Sequence, residues 1–196
     1  MKTNKQAILI VDDEPEMVEL VQQVLLSAGY EVFTANNAND GLRLALEHQP
    51  VLAILDIHMP VVTGLTLAQS LADETSVPFV FFTRDARRDE VQQATQIGAI
   101  GYLTKPVYPD QIVPFVSVSL ARAEELQKLK KREAHLQTAV EASRVIGAAV
   151  GLLMAKHPIN ESQAFQRLHD HARSKRQKIV DIARALVNAQ ENINLM

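Results

Sequence analysis

The chain has no cysteine and no tryptophan among its 196 residues. Without cysteine it forms no disulfides and uses no thiolate chemistry. No uncharged apolar run approaches the roughly 18 residues that a membrane-spanning helix needs. The apolar patch near the N-terminus, AILIV (7–11), soon gives way to acidic residues, so it is neither a secretory nor a lipidation signal. We therefore expect a cytoplasmic protein.

Charge is divided unevenly along the chain. Up to Ser119 there are 7 lysine and arginine residues against 15 aspartate and glutamate residues, and beyond it there are 13 against 8. Such an asymmetry suggests two functions, with the basic half a candidate for binding a polyanion. A pair of solvated helices with uneven charge explains the same numbers.

Short apolar runs alternate with helical patterns in the first part of the chain. The predicted helices are 16–29, 38–48, 64–73, 87–97 and 109–120, and the predicted strands are 7–11, 30–35, 51–56, 77–83 and 99–104. Strands that are apolar throughout are typical of a parallel sheet covered on both faces. We therefore predict an α/β fold with a doubly wound five-stranded parallel sheet, which binds ligands at the carboxyl ends of its strands.

Polar and charged side chains occur where four of these strands end. The first strand ends in Asp12 and Asp13, the third in Asp56, the fourth in Thr83, and the fifth is followed by Lys105. Clustered carboxylates repel one another, and Mg²⁺ relieves this repulsion because it prefers oxygen ligands. The pattern predicts a magnesium site with a second positive charge beside it.

Each acid in this cluster receives an expected role. Asp13 is predicted to bind the metal directly, and Asp12 to bind it through water or to lie next to the ligands. The main-chain carbonyl of His58 is a further predicted ligand. Asp56 is assigned as the nucleophile, because a carboxylate that nearby cations keep ionised can attack phosphorus.

The remaining polar groups are predicted to contact the phosphoryl group. Lys105 and the metal would neutralise charge on the transferring phosphoryl oxygens. Thr83 would form a hydrogen bond with the phosphate after its attachment to Asp56.

These motifs resemble the receiver domain of two-component response regulators. The resemblance implies that Asp56 accepts phosphate from a sensor histidine kinase. It also implies a switch pair, in which Thr83 turns toward the phosphate and Tyr102 follows inward. The matching segments occur in family order and at family spacing: VDDE (11–14), LDIHMP (55–60) with Gly64, FFT (81–83) and GYLTKP (101–106).

Two side chains beside the predicted site need separate comment. Many receivers have a small residue after the switch threonine, whereas this chain has Arg84. Its cation could shield or contact the phosphoryl group, which leaves the phosphate lifetime open. The side chain of His58 is expected to be solvated and not to act as a catalytic base.

Beyond about residue 114 the sequence predicts only helices. A helical linker is expected at 121–136, and heptad positions in and just after it are occupied by Leu126, Leu129, Leu136 and Val140, with Glu133 interrupting. The pattern is shorter than three clean heptads. A homodimeric coiled coil and a helix that packs on its own chain are both compatible with it.

The final segment, 137–196, is predicted to form three helices. The second of them starts at a capping-box-like pair, Asn160 and Gln163. The segment resembles the ANTAR domain, a three-helix RNA-binding antitermination module. The resembling residues are Arg144, Ile146, Ala149, Gly151, Leu153, Met154, Ala164, Phe165, Leu168, Ala172, Ile179, Ile182, Ala183 and Leu186.

This second resemblance implies that the partner is a hairpin element in nascent leader mRNA. Contacts to RNA phosphates need arginine and lysine side chains. A solvated basic face is the alternative explanation, and Phe165 is expected in the core, so base stacking is not predicted as the main device. The candidate contacts are Arg144, Lys156, Arg167, Arg173, Lys175, Arg176 and Lys178.

The sequence as a whole predicts a phosphorylation-controlled antiterminator with a receiver domain at 1–120 and an RNA-binding domain at 137–196. Phosphorylation would favour a homodimer whose paired tails hold a two-loop RNA element. A DNA-binding response regulator and a protein-binding output are the alternatives. An aspartyl-phosphate phosphatase is disfavoured, because such enzymes commonly have a second aspartate where this chain has His58. We therefore do not expect an enzyme, beyond self-catalysed phosphoryl transfer and autodephosphorylation.

Overall fold

A five-stranded parallel sheet forms the first part of the molecule. The computed structural model describes residues 5–84 and 87–194, with backbone only for 191–194. The strand order is β2-β1-β3-β4-β5, which confirms the predicted doubly wound fold. The elements are β1 (Ala7–Val11), α1 (Pro15–Ser27), β2 (Glu31–Ala35), α2 (Ala38–His48), β3 (Leu52–Leu55), α3 (Gly64–Glu74), β4 (Phe79–Thr83), α4 (Arg88–Ile97), β5 (Tyr102–Thr104), α5 (Pro109–Lys156), α6 (Glu161–Lys175) and α7 (Ile179–Asn194).

Alternating side chains of the central strands fill two separate cores. Leu9 and Val11 pack into the cluster on one face of the sheet, and Ile8 and Ile10 pack into the cluster on the other. Successive side chains of a strand point to opposite faces. Burial of both faces therefore explains why β1 has no polar residue along its length.

The fifth strand is shorter than predicted. Its first residue is Tyr102, whereas the sequence predicted a start at residue 99. The backbone N–H of Ala99 donates to the carbonyl of Ala94 in α4. Residue 99 thus follows α4 and caps its end. The apolar run at 99–101 indicated burial, which does not require pairing with a neighbouring strand.

One continuous helix, α5, contains three segments that the sequence treated separately. It runs from Pro109 to Lys156 and includes the predicted end of the first domain, the linker and the first helix of the tail. Division of the chain by internal contacts places the boundary inside this helix, after Gln127. No proline or glycine marks this boundary, because the helix continues through it. The amino-acid composition therefore did not predict where the first unit ends.

By length and composition alone, α5 is the one helix within 5–84 and 87–194 that could cross a membrane. Its most apolar stretch has a mean hydropathy of 1.4, and 11% of that stretch is buried. Charged residues recur along the helix from Arg122 to Arg144. Helices of proteins without membrane segments pass the same test, and we draw no membrane role from it.

The C-terminal part is the predicted three-helix unit. Ala149 and Val150 at the end of α5 pack with Ala164 and Leu168 of α6 and with Ala183 of α7. The side chain of Asn160 accepts a hydrogen bond from the backbone of Gln163, whose side chain accepts one from the backbone of Asn160. This reciprocal pair is the predicted capping box, and it fixes the start of α6.

Candidate functional site

The ends of β1 and β3 bring three carboxylates together. Side-chain oxygens of Asp12, Asp13 and Asp56 all lie within 4.8 Å of one another. Asp12 and Asp56 are each only 3% exposed, whereas Asp13 is half-buried. β1 and β3 are adjacent parallel strands, so residues that follow them meet at one edge of the sheet.

The loop after Asp56 is folded tightly against the start of α3. The backbone N–H of Gly64 donates to the carbonyl of Ile57 at 2.9 Å. A Cβ atom at residue 64 would lie 1.8 Å from the carbonyl oxygen of Asp56. Glycine is therefore required there, because any side chain would push the loop away from the acid.

Lys105 extends from the end of β5 into the acid cluster. Its Nζ donates to Oδ2 of Asp12 at 2.7 Å and to Oε1 of Glu14 at 2.9 Å, and it lies 3.5 Å from Oδ1 of Asp56. The lysine side chain is almost fully buried. The peptide bond between Lys105 and Pro106 is cis. One ammonium group thus contacts the carboxylates of Asp12, Glu14 and Asp56.

Glu14 is a site residue that the sequence analysis did not single out. Besides its bond from Lys105, it accepts a hydrogen bond from Nε of Arg84 at 3.0 Å and a second, short one from the same guanidinium. The available signal was its position two residues after Asp12 in the VDDE segment. Arg84 therefore binds an acid at the edge of the site, a contact that sequence spacing could not show.

Burial and charge shift the pKa values of these groups in opposite directions. Burial raises the pKa of Asp12 and of Asp56, against the opposing effect of Lys105. Burial lowers the pKa of Lys105, but hydrogen bonds to Asp12 and Glu14 more than offset this, so the pKa is raised. Hydrogen bonds from Arg84 and Lys105 lower the pKa of Glu14 to about 2.

The acid cluster fits a hard divalent cation. Oδ1 of Asp56 is buried and has no hydrogen-bond partner among the described residues, although Lys105 lies 3.5 Å from it. A buried carboxylate oxygen left in this state is unfavourable. Oxygen atoms of Asp12, Asp13 and Asp56 could bind Mg²⁺ together with water. The ligand role of the His58 carbonyl stays a prediction.

The side chain of His58 is 40% exposed, as the sequence predicted, but its ring also contacts two neighbouring side chains. Its Nε2 lies 3.0 Å from Oε1 of Glu90, and its Nδ1 lies 3.3 Å from Oγ1 of Thr83. Arg87 donates to the same oxygen of Glu90 at 2.9 Å. These contacts were not predicted because Glu90 lies in α4, far from His58 in the sequence, and meets it only in the folded chain.

The two residues of the predicted switch pair differ in exposure. Thr83 is fully buried at the end of β4, whereas Tyr102 at the start of β5 is 49% exposed. Phe81 pairs with Tyr102 and Thr83 pairs with Thr104, so both residues lie on neighbouring strands. The tyrosine thus points outward while the threonine contacts His58.

All seven predicted RNA contacts are exposed on the three-helix unit. Phe165, predicted in the core, is 44% exposed, and its ring lies 6.5 Å from that of His169. This prediction was wrong because Ala164 and Leu168 of α6 fill the core and turn Phe165 outward. The seven basic residues are Arg144, Lys156, Arg167, Arg173, Lys175, Arg176 and Lys178.

The predicted heptad residues form an exposed apolar stripe along α5, which we call the heptad stripe: Leu126, Leu129, Leu136 and Val140. Leu136 is 64% exposed and Val140 is 68% exposed. Leu126 and Leu129 are 41% and 52% exposed, so none of the four side chains is buried. The choice between a homodimeric coiled coil and packing on the same chain stays a prediction.

Comparison with known proteins gives two family matches. A family model of the response regulator receiver domain matches residues 8–117, and a model of the ANTAR domain matches residues 134–187. The matches follow one another along the chain without overlap. They agree with the two segments whose motifs the sequence analysis described.

Individual relatives match this chain over different lengths. The transcriptional regulatory protein PdtaR of Mycobacterium tuberculosis is 29% identical over 181 residues, 92% of this chain and 88% of that protein. The regulatory protein VanR of Enterococcus faecium is 36% identical over 126 residues, 64% of this chain and 54% of that protein. A CheY-like receiver domain crystal structure from Methanospirillum hungatei is 28% identical with a TM-score of 0.59 and covers 62% of this chain and 98% of that one.

Proposed function

We propose that this chain, which belongs to the response regulator receiver family and carries an ANTAR domain, is an antiterminator controlled by phosphorylation of Asp56. The observation that carries the proposal is the contact of one buried ammonium, Lys105, with the acids that follow β1 and β3. Such a site has a positive charge that can bind a phosphoryl group. The ANTAR segment would then act on RNA in response.

Asp56 is the proposed acceptor of the phosphoryl group. An oxygen of its carboxylate forms a bond to phosphorus while the bond from phosphorus to an imidazole nitrogen of a sensor histidine kinase breaks. Bound Mg²⁺ would supply positive charge to the phosphoryl oxygens. Lys105 lies close enough to Asp56 to stabilise the same developing charge from the protein side.

Thr83 and Tyr102 are the proposed output of that event. The hydroxyl of Thr83 would turn to the attached phosphate, and the outward tyrosine would move into the space that the threonine leaves. A ligand shifts such an equilibrium only by its differential affinity for the two states. The phosphoryl group binds the two states of Thr83 with different affinity, because the hydroxyl can donate to it in only one orientation.

The proposed partner of the C-terminal domain is a hairpin element of leader mRNA. Arg173, Lys175, Arg176 and Lys178 lie within one short segment at the end of α6 and the following turn. Such a density of cations suits the phosphate backbone of a folded RNA. Phe165 is available to stack on an unpaired base, a device that the sequence analysis did not expect.

The heptad stripe is the proposed contact between two copies of the chain in the phosphorylated state. Leu126 and Leu129 continue into Leu136 and Val140 at a spacing of three, seven and four residues, which keeps them on one face of α5. Burial of apolar side chains favours association. Pairing two chains would place two basic tails near one RNA with two loops.

We divide the chain for these purposes into a receiver at 1–120, a helical linker at 121–136 and an RNA-binding domain at 137–196. The contact-based boundary after Gln127 lies inside the proposed linker. The proposed setting is the cytoplasm, where nascent mRNA and the kinase domain of a sensor would be accessible.

Phosphorylation is tested by labelling the full chain with a small phosphodonor in Mg²⁺. We expect one phosphate per chain in the wild type and none in Asp56→Asn. Asp73→Asn, a substitution at an exposed acid of α3, is the matched control and should be labelled normally. Retained labelling of Asp56→Asn would refute the assignment, and steady turnover of a phosphate ester would favour an enzyme.

The nucleic-acid partner is tested by gel shifts of the phosphorylated chain against its own upstream leader. The leader is supplied as RNA and as duplex DNA at the same salt concentration. We expect retention of the RNA at lower protein concentration. Tight binding only to the duplex would replace this proposal with the DNA-binding alternative, and binding to neither would favour a protein-binding output.

A further inference from the structure

Three side chains connect the proposed phosphorylation site to α4. His58 follows Asp56 in the β3–α3 loop, and its two ring nitrogens contact Thr83 and Glu90. Glu90 is buried in the first turns of α4. The connection shares Thr83 with the proposed switch pair, but neither His58 nor Glu90 has a side chain in the acid cluster or in contact with Lys105 in the interactions described above.

The chemistry of the contacts assigns the ring protons. The carboxylate of Glu90 already accepts from Arg87, and a carboxylate can only accept. Nε2 of a neutral His58 therefore donates to Glu90, and its Nδ1 is left as an acceptor. In that tautomer the hydroxyl of Thr83 donates to Nδ1, and the two atoms lie 3.3 Å apart.

The surroundings of Glu90 explain why it stays in this position. Its Oε1 has two partners, His58 and Arg87, while its Oε2 is buried without a hydrogen-bond partner among the described residues. An ionised group in such a place depends on the few bonds that it makes. Loss of the contact with His58 would leave Glu90 with Arg87 alone as its partner at Oε1, and the first turn of α4 would be less firmly fixed to the β3–α3 loop.

We propose that His58 and Glu90 form a latch that holds the Thr83 hydroxyl away from Asp56 and ties it to α4 in the unphosphorylated chain. The proposal rests on the proposed function, since the competitor for the hydroxyl is a phosphoryl group on Asp56. A hydroxyl has one proton. A Thr83 hydroxyl that donates to the phosphoryl group gives up its bond to His58.

His58 and Glu90 are thus positioning residues and not catalytic ones. The hydrogen bond between Thr83 and His58 must break before Thr83 can donate to the phosphoryl group, so its free energy opposes phosphoryl binding. Because His58 also contacts Glu90, the loss of that bond changes the contacts of α4. Removal of the latch should therefore favour the phosphoryl-bound state even though no group that touches the phosphate has been changed. This direction is opposite to that expected from general damage to the site.

Beryllium fluoride in Mg²⁺, which adds to a carboxylate oxygen as a phosphoryl mimic, is the probe. We expect His58→Ala and Glu90→Ala each to lower the half-saturating concentration about 3- to 10-fold, as loss of one competing hydrogen bond implies. The double variant should equal the single variants, because both act through one contact. Asp89→Ala, an exposed neighbour on α4, should match the wild type.

Hydrogen exchange of the α4 amides gives a second readout. In the wild type the probe should speed exchange at the start of α4, whereas in Glu90→Ala exchange should already be fast and respond little. An unchanged or weakened affinity in both single variants would overturn the latch, as would effects that multiply in the double variant. A wild type that fails to bind the probe would instead count against the proposed function.

Discussion

Nζ of Lys105 lies 3.5 Å from Oδ1 of Asp56, while two shorter hydrogen bonds hold the same ammonium to Asp12 and Glu14. The lysine is therefore positioned by acids of the β1 loop and not by the proposed acceptor. This arrangement leaves Oδ1 of Asp56 next to a positive charge and without a hydrogen bond from any residue that the structure describes. A carboxylate oxygen in that state has lone pairs that can still bind a metal ion or form a bond to phosphorus.

Magnesium should stabilise the folded chain, because it relieves repulsion among Asp12, Asp13 and Asp56. At a concentration 100 times the Kd, the free energy of unfolding should rise by about 2.7 kcal/mol, measured as Tm with Mg²⁺ and with a chelator. Asp13→Asn should lose most of this increase, and Asp73→Asn should retain it. An equal increase in both variants would place the metal elsewhere.

The magnesium effect should also depend on pH in a defined direction. Burial raises the pKa of Asp12 and Asp56 above the ordinary value of 3.8, and the metal binds their ionised forms. Stabilisation by Mg²⁺ should thus be full at high pH and should decrease as the pH falls through these raised pKa values. Tm measured with and without Mg²⁺ across the acidic range gives the result.

Arg84 should control the titration of Glu14. The pKa of Glu14 is lowered from 4.5 to about 2, with the hydrogen bond from Arg84 as the largest cause. A carboxyl whose folded pKa is lowered stabilises the fold fully above pH 4.5, and this contribution disappears as the pH falls toward 2. In Arg84→Gln, NMR titration should give a Glu14 pKa nearer 4.5, whereas Arg88→Gln should leave it low.

Substitutions in the heptad stripe should prevent association of the phosphorylated chain. Lysine at both Leu129 and Leu136 would place like charges at the proposed contact, where each leucine otherwise contributes about 1.5–3 kcal/mol on full burial. Sedimentation should show monomers for this variant in the presence of Mg²⁺ and phosphodonor. Val118→Lys changes an exposed valine of α5 outside the stripe and should still dimerise. Dimers in both variants would place the contact on another face.

Reversal of charge at Lys175 and Arg176 should weaken RNA binding, because contacts to phosphate depend on positive charge. Loss of two contacts should reduce the slope of log K against log salt by about 2. The control is the same reversal at Lys130 and Lys131, two exposed cations of the linker. Gel shifts across a salt series measure both. An unchanged slope in the first variant would move the RNA contact away from the end of α6.

Phe165 shows what a pattern of apolar residues can and cannot predict. Ala164, Leu168 and Ala172 form the buried face of α6, and their spacing of four residues is typical of one face of a helix. Phe165 is the next residue after Ala164, and its class alone suggested burial. Its exposure depends on how wide the contact with α5 and α7 is, which only the packed helices determine.

His58 and Glu14 show the same limit at the candidate site. Strand-end positions predicted which acids and which lysine would meet, since parallel strands place their carboxyl ends at one edge. The partners of His58 and Arg84 are Glu90 and Glu14, which are distant from them in the chain. No local pattern encodes such pairs, because each depends on the direction in which two loops leave the sheet.

The sequence by itself determined the parallel sheet, the acid cluster at its edge and the three-helix tail, because burial on both faces and helical spacing repeat along the chain. The tertiary structure alone decided that α5 is one helix from Pro109 to Lys156, that Lys105 is held by Asp12 and Glu14, and that His58 reaches α4. These features depend on distances between segments far apart in sequence. Such distances are fixed only when the cores pack.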